Sequence, residues 1–181
     1  MRADIDEIVR FWFEALRPKD WFRRDDRIDA EIKARFGGLY EELKAGVPAR
    51  WPTEPKAILA AILVLDQFPR NMFRDDARVF ATDANALALA KLAIGEGVDA
   101  RLTPEQRAFL YMPFQHSEDA GDQVRSLELF TALGNPLNLD FAQRHKAIID
   151  RFGRFPHRNA LLGRQSTEEE LDFLQEPGSS F

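Results

Sequence analysis

Nine consecutive apolar residues, Ala57 to Leu65, lie between Pro55 and Asp66 with no charge and no turn former among them. As a helix such a run is hydrophobic on every side. Ile58, Leu59, Ile62, Leu63 and Leu65 cannot all face one neighbour, so the segment belongs at the centre of the fold. A buried parallel strand would carry the same pattern, but the length of the segment and its alanines favour helix. The expected helix spans about Thr53 to Gln67, capped by Thr53, with Pro55 in the first turn, where its missing N–H costs nothing. Nine residues fall far short of the roughly 20 that a membrane span needs, so no membrane is implied.

A buried central helix requires others to wrap it, and the rest of the chain reads as their source. Ile5, Ile8, Val9, Trp12 and Leu16 form one stripe of a helix stopped by Pro18, and Ile28, Ile32, Phe36, Leu39 and Leu43 form another, ended by Gly46 and interrupted by the Gly37-Gly38 pair. Further helices are expected over about Asp83 to Glu96, from the Thr103-Pro104-Glu105-Gln106 capping box to Pro113, which ends or kinks it, from a Ser117 cap to Gly134, and over about Asp140 to Phe152. A short last helix follows Ser166-Thr167, with Glu168 to Glu170 against its positive end. No strand pair with a hairpin turn is present, so the expected fold is all-α: about eight helices stacked as antiparallel hairpins. No strict repeat period runs through them. At 181 residues the chain suits a single domain, 1–181.

Composition removes several function classes. Without cysteine there is no disulfide, no thiolate nucleophile and no Cys-ligated zinc. A net charge of -5 disfavours nucleic acid as a partner, and the 15 Phe and 3 Trp fall at helical spacings that mark them as core. The acidic start, with Asp4, Asp6 and Glu7, lacks a secretory pattern, so a cytoplasmic location is expected. Phosphate loops, nucleophile elbows, His-Glu-x-x-His and calcium loops are all missing, and no cofactor is implied.

What remains is a polar constellation. Gln67-Phe68-Pro69-Arg70-Asn71 and Arg154-Phe155-Pro156-His157-Arg158-Asn159 echo each other, and a residue before proline is pushed out of the α region, so each Phe-Pro step is expected to turn a helix corner. Arg70, Asn71, Arg158 and Asn159 then either serve a ligand or satisfy helix-end carbonyls. From Arg144 to Arg164, six basic side chains (Arg144, Lys146, Arg151, Arg154, Arg158 and Arg164) face one acid, Asp150, a local charge of +5 that leaves the rest of the chain at -10. Such an island suits a carboxylate or phosphate, or else an internal ion-pair network with Asp66, Glu118, Asp119 or Asp122.

All three histidines lie in or beside these segments. His145 shares a stripe with Phe141, Ile148 and Phe152, as a hydrogen-bonded core histidine would, while His116 and Glu118 are positioned as a candidate acid and base pair. The competing reading of Glu118 and Asp119 is as favourable charges in the first turn of the helix after Ser117. A three-histidine metal site is disfavoured by the spacing, since no pair is four residues apart.

Leu65-Asp66-Gln67-Phe68-Pro69-Arg70-Asn71, Phe109-Leu110-Tyr111-Met112-Pro113-Phe114-Gln115-His116-Ser117-Glu118 and Arg151-Phe152-Gly153-Arg154-Phe155-Pro156-His157-Arg158-Asn159 resemble the signature blocks of a bacterial domain-of-unknown-function family. Phe11-Trp12-Phe13, Phe80-Ala81-Thr82-Asp83 and Leu162-Gly163-Arg164 extend the resemblance over nearly the whole chain, with one departure at Gln115, where Met is expected. The resemblance implies a fold like that of the tetratricopeptide-repeat superfamily and carries no substrate, cofactor or catalytic residue to these positions.

Two functions fit the constellation. The favoured one is a binding module for a small anion or an acidic peptide, held by Asp66, Arg70, Asn71, His116, Glu118, His145, Arg154, His157, Arg158, Asn159 and Arg164. The other is an enzyme for a small anionic substrate, with His116 or His157 moving the proton and Arg154 and Arg158 as the charge clamp. A plain scaffold, whose polar motifs only lock corners, is the third.

Overall fold

In the computed structural model, which describes residues 2–48, 51 and 53–180, every regular element among those residues is helical. The α-helices are α1 (Arg2–Arg10), α2 (Pro18–Trp21), α3 (Asp26–Lys44), α4 (Pro55–Ile62), α5 (Phe68–Met72), α6 (Asp83–Gly95), α7 (Pro104–His116), α8 (Ala120–Leu133), α9 (Pro136–Phe152) and α10 (Glu168–Phe173). Wider π turns at Phe11–Ala15 and Leu63–Gln67 follow α1 and α4 directly, and short 3₁₀ turns cover Ala77–Phe80, Asp99–Arg101 and Pro156–Arg158. None of these helices is long and apolar enough to cross a membrane. With α4, the second π turn and α5 joined as one rod, the described residues form nine rods where about eight were expected.

The apolar run takes the place its pattern demands. Every residue from Ala57 to Leu65 is buried, and α4 packs against α1, α6 and α7. Below it Phe68 is boxed by Phe36, Phe11 and Trp12 at ring separations of 4.9, 6.5 and 5.7 Å. Toward the C-terminus α7, α8 and α9 pack in sequence, and a small second core of Ile148, Ile149 and Phe155 is closed by Phe152 and Phe173.

The Phe68-Pro69 step does not turn a corner. Phe68 stays helical at φ -60° and ψ -37°, and the rod runs on into α5. Two features make a proline tolerable there. The π turn bonds the Phe68 N–H to the Leu63 carbonyl, five residues back, and this wider turn relieves the clash between a proline ring and the carbonyl four residues before it. That carbonyl, Leu65 O, lacks a donor from Pro69 and instead accepts the Thr82 hydroxyl at 2.5 Å. Thr82 is wholly buried, so Thr82→Val should leave Leu65 O unpaired and cost about 1 to 3 kcal/mol in urea unfolding. A value near zero would remove Thr82 from this role. The second Phe-Pro step is a true corner: α9 ends at Gly153 in the left-handed region (φ 67°), and Phe155 is extended at ψ 107°.

Other boundaries also moved. Glu54, not Thr53, precedes α4, and α3 passes unbroken through Gly37-Gly38 from its Asp25 cap. Pro113 does not end α7, which continues to His116. Asp119 rather than Ser117 caps α8 by accepting the Asp122 N–H at 3.0 Å. Ser117 buttresses that cap by accepting the Asp119 N–H and donating to Asp122. The penultimate helix begins at Pro136 behind an Asn135 cap, earlier than the expected Asp140.

Candidate functional site

Four distant segments converge at one end of the central rod. The π turn of the rod supplies Asp66 and Gln67, and α5 supplies Arg70 one turn later. Asp83 opens α6, His116 closes α7, and Arg158 comes from the 3₁₀ turn of the Phe155-Pro156 corner.

Asp66 is the hub and has no exposed surface. Its Oδ1 accepts from His116 Nδ1 at 2.7 Å, and its Oδ2 accepts from Gln67 Nε2 at 2.6 Å. Arg70 Nη1 lies 3.5 Å from the same Oδ1 and donates to the Asp66 carbonyl at 2.5 Å. Arg70 also grips Asp83 through both terminal nitrogens, at 2.9 and 3.1 Å. Arg158 Nη1 reaches the same Asp83 Oδ2 at 3.4 Å, and its Nη2 donates to the His116 carbonyl at 3.0 Å. The Arg158 guanidinium is sandwiched between the rings of Phe80 and Phe155, 4.5 and 4.6 Å from their centroids, and its buried Nε has no hydrogen-bond partner among the described residues.

The electrostatics separate the pair at the hub. Burial alone would raise the Asp66 pKa, but His116, Arg70 and the hydrogen bonds of His116 and Gln67 outweigh it and hold the carboxyl down at about 2. Burial lowers His116, with Arg70 acting in the same direction, and the attraction of Asp66 only partly offsets them. Asp66 is therefore ionised and His116 neutral near pH 7, which fixes the His116 proton on Nδ1 and leaves a lone pair on Nε2. The His116 side chain is 15% exposed, and among the described residues no hydrogen bond reaches Nε2.

Beside His116 lies the His145 ring, 6.2 Å between centroids, whose Nδ1–H donates to the Phe141 carbonyl at 2.8 Å. Burial first, then His116, pushes His145 down to about 3. The His157 ring lies 5.6 Å from that of Phe155 between centroids, and burial with Arg158 pushes His157 down to about 4. Among the described residues no group of three His, Cys, Asp or Glu is placed to hold a metal ion.

A second network braces the first. Glu118 binds Arg164 with two bonds, 2.7 and 2.9 Å, and accepts the Phe155 N–H at 2.8 Å, so it holds the corner rather than a helix start. Arg164 also donates to Asn159, which donates to Glu170, and Glu170 takes Arg154 at 2.6 and 2.7 Å. The basic island is thus fully compensated: Arg144 by Asp140, Lys146 by Asp150, Arg151 by Glu169, and Arg154, Arg158 and Arg164 by Glu170, Asp83 and Glu118. Of the acids proposed for that network only Glu118 joins the island. Asp66 serves His116 and Arg70, Asp119 caps α8, and Asp122 pairs with Lys91 at 2.6 Å.

The hub therefore gathers Asp66, Arg70, His116 and Arg158, with His145 and His157 alongside, while Glu118, Arg154, Asn159 and Arg164 form the brace. Asn71 belongs to neither: it donates to Asp29 at 2.8 Å beside the Arg74–Asp29 ion pair, on the α3 side of the rod. Sequence reasoning missed Asp83, Gln67 and the two rings around Arg158. The signal for Asp83 was present in the Phe80-Ala81-Thr82-Asp83 block, where it passes for an ordinary acid in a helix's first turn. A surface cavity of about 550 Å³ opens elsewhere, between α1 and α3, lined by Glu7, Arg10, Phe11, Glu14 and Arg35, but Arg35 there is already paired with Glu7 and Glu31. The hub is preferred because it combines a buried, oriented carboxylate with an accessible proton acceptor.

Residues 8–178 match the model of a family described as bacterial protein of unknown function (DUF924). A solved structure of a protein of unknown function from Agrobacterium tumefaciens is similar with a TM-score of 0.91 at 39% identity, over 96% of this chain and 98% of that one. No curated protein matches.

Proposed function

Because the chain belongs to DUF924, a bacterial family of unknown function that supplies no chemistry, we propose from the geometry alone that it acts on a small anionic substrate, with His116 as general base and acid. The observation that carries this reading is the 2.7 Å hydrogen bond from His116 Nδ1 to a carboxylate with no exposed surface. Asp66 holds the ring in one tautomer and stabilises the imidazolium that forms when Nε2 takes a proton. It plays the part an orienting carboxylate plays behind any histidine base. Arg70, 23% exposed and sharing Asp66 Oδ1 with His116, is the charge contact beside the base. Arg154, taken up by Glu170, is a support rather than part of the clamp.

The test is a thermal-shift screen of small carboxylates, phosphates and acidic peptides, followed by turnover assays on each ligand that stabilises. His116→Asn should lower kcat/KM by about 10² to 10⁴-fold while binding survives. The working form of His116 is neutral, so kcat/KM should be flat at and above pH 7. It should fall as pH drops through a pKa below the ordinary 6.5. Turnover that is indifferent to His116→Asn would end the proposal, and stabilisation by acidic peptides alone, with no turnover, would turn it into a binding module.

A further inference from the structure

Resting on the reading of the His116 edge as an anion site, we infer that the Asp83 carboxylate occupies the seat of the substrate's own carboxylate, so that the ligand class is a small monocarboxylate. Two guanidiniums converge on Asp83, through three donor contacts at 2.9, 3.1 and 3.4 Å. Each is also held by groups other than Asp83. Arg70 is tied to the Asp66 carbonyl at 2.5 Å and lies 3.5 Å from its carboxylate. Arg158 is clamped between Phe80 and Phe155 and tied to the His116 carbonyl at 3.0 Å. Removing the Asp83 carboxylate therefore leaves a preformed fork of donors next to His116, rather than a collapsed one.

The fork fits a planar carboxylate, since both terminal nitrogens of Arg70 meet the two oxygens of Asp83. Charge points to the same class. Arg70 and Arg158 balance Asp66 and Asp83, so a monoanion in place of Asp83 keeps the cluster neutral, whereas a phosphate dianion would bury an uncompensated charge. Asp83 stands at the edge of the cluster: its side chain is 15% exposed, and it is the first residue of α6.

The experiment measures the melting temperature of Asp83→Ala against sodium acetate, with ionic strength held by sodium chloride and with phosphate in parallel. Acetate should stabilise Asp83→Ala saturably and phosphate no better than chloride, and the effect should vanish in Asp83→Ala/Arg70→Gln. Asp83→Asn, which keeps the size of the side chain, carries the test if the alanine variant does not fold. It should bind acetate about tenfold more tightly than the unmodified protein, the factor for one charged hydrogen-bonding competitor removed. No acetate response beyond chloride in either folded variant, or a response that survives the loss of Arg70, overturns the inference. The His116→Asn variant separates the two readings. Acetate binding with turnover that ignores His116 leaves this site standing and ends the acid–base proposal, while His116-dependent turnover with no acetate response does the reverse.

Discussion

Asp66→Ala should lose about 3 to 5 kcal/mol of folding stability in urea unfolding at pH 7. The carboxylate has no exposed surface, and its removal leaves His116 Nδ1 without its acceptor, leaves Gln67 Nε2 only the weak acceptor Met112 Sδ, and takes away a negative charge that faces Arg70. Arg70 keeps Asp83, which is why the loss stays within the range for a broken buried ion pair. Asp119→Ala is the calibrating variant: it removes the α8 cap at an exposed position and should cost only about 1 kcal/mol. If the two losses are equal, Asp66 is not the hub of a desolvated network. Asp66→Asn should also drop the His116 pKa further, because the attraction that now partly offsets burial disappears. A histidine titration by NMR reads that shift directly.

Acidification from pH 7 to pH 5 should destabilise the fold by about 3 to 4 kcal/mol, before Asp66 or Glu170 is protonated. His145 and His157 are depressed to about 3 and about 4 in the folded chain, while in the unfolded chain they titrate near 6.5. A group depressed on folding binds its proton only in the unfolded state across the interval between the two values. Each histidine therefore contributes stability that is fully present above 6.5 and lost as pH falls toward the folded pKa, at about 1.4 kcal/mol per pH unit. Asp66 and Glu170, both held near 2, lose their contributions only as pH falls below about 4, so the window from 6.5 to 5 belongs to the histidines. His145→Gln should remove up to half of the dependence, the remainder belonging to His157 and the likewise lowered His116. A stability that is level between pH 7 and 5 would mean that protons reach the three-histidine cluster without unfolding it.

The amino-acid sequence determined the parts of this fold whose causes lie within a few residues of one another. Nine apolar residues in a row make a buried centre whatever surrounds them. Thr103 with Gln106 closes a helix start through bonds three residues long, and Thr167 with Glu170 does the same for α10. Gly134 and Gly153 end their helices because they adopt left-handed backbone at φ 75° and 67°. The segments that meet at the candidate site were also legible, since Asp66, Arg70, His116 and Arg158 lie in the motifs that stood out from the helical stripes.

Tertiary structure alone decided the rest. Whether Phe68-Pro69 bends the chain depends on Thr82, 17 residues on from Leu65, supplying the donor that proline lacks. Whether an arginine in the basic island is open to a ligand depends on carboxylates as distant as Asp83, 75 residues from Arg158. The echo between the two Phe-Pro segments therefore hid opposite outcomes, a straight rod in one and a corner in the other. A local preference of a kilocalorie or two settles a cap or a glycine turn. It is overridden where a buried carbonyl or charge must find its partner, because leaving such a group unpaired costs as much or more, and the partner's position along the chain is not constrained.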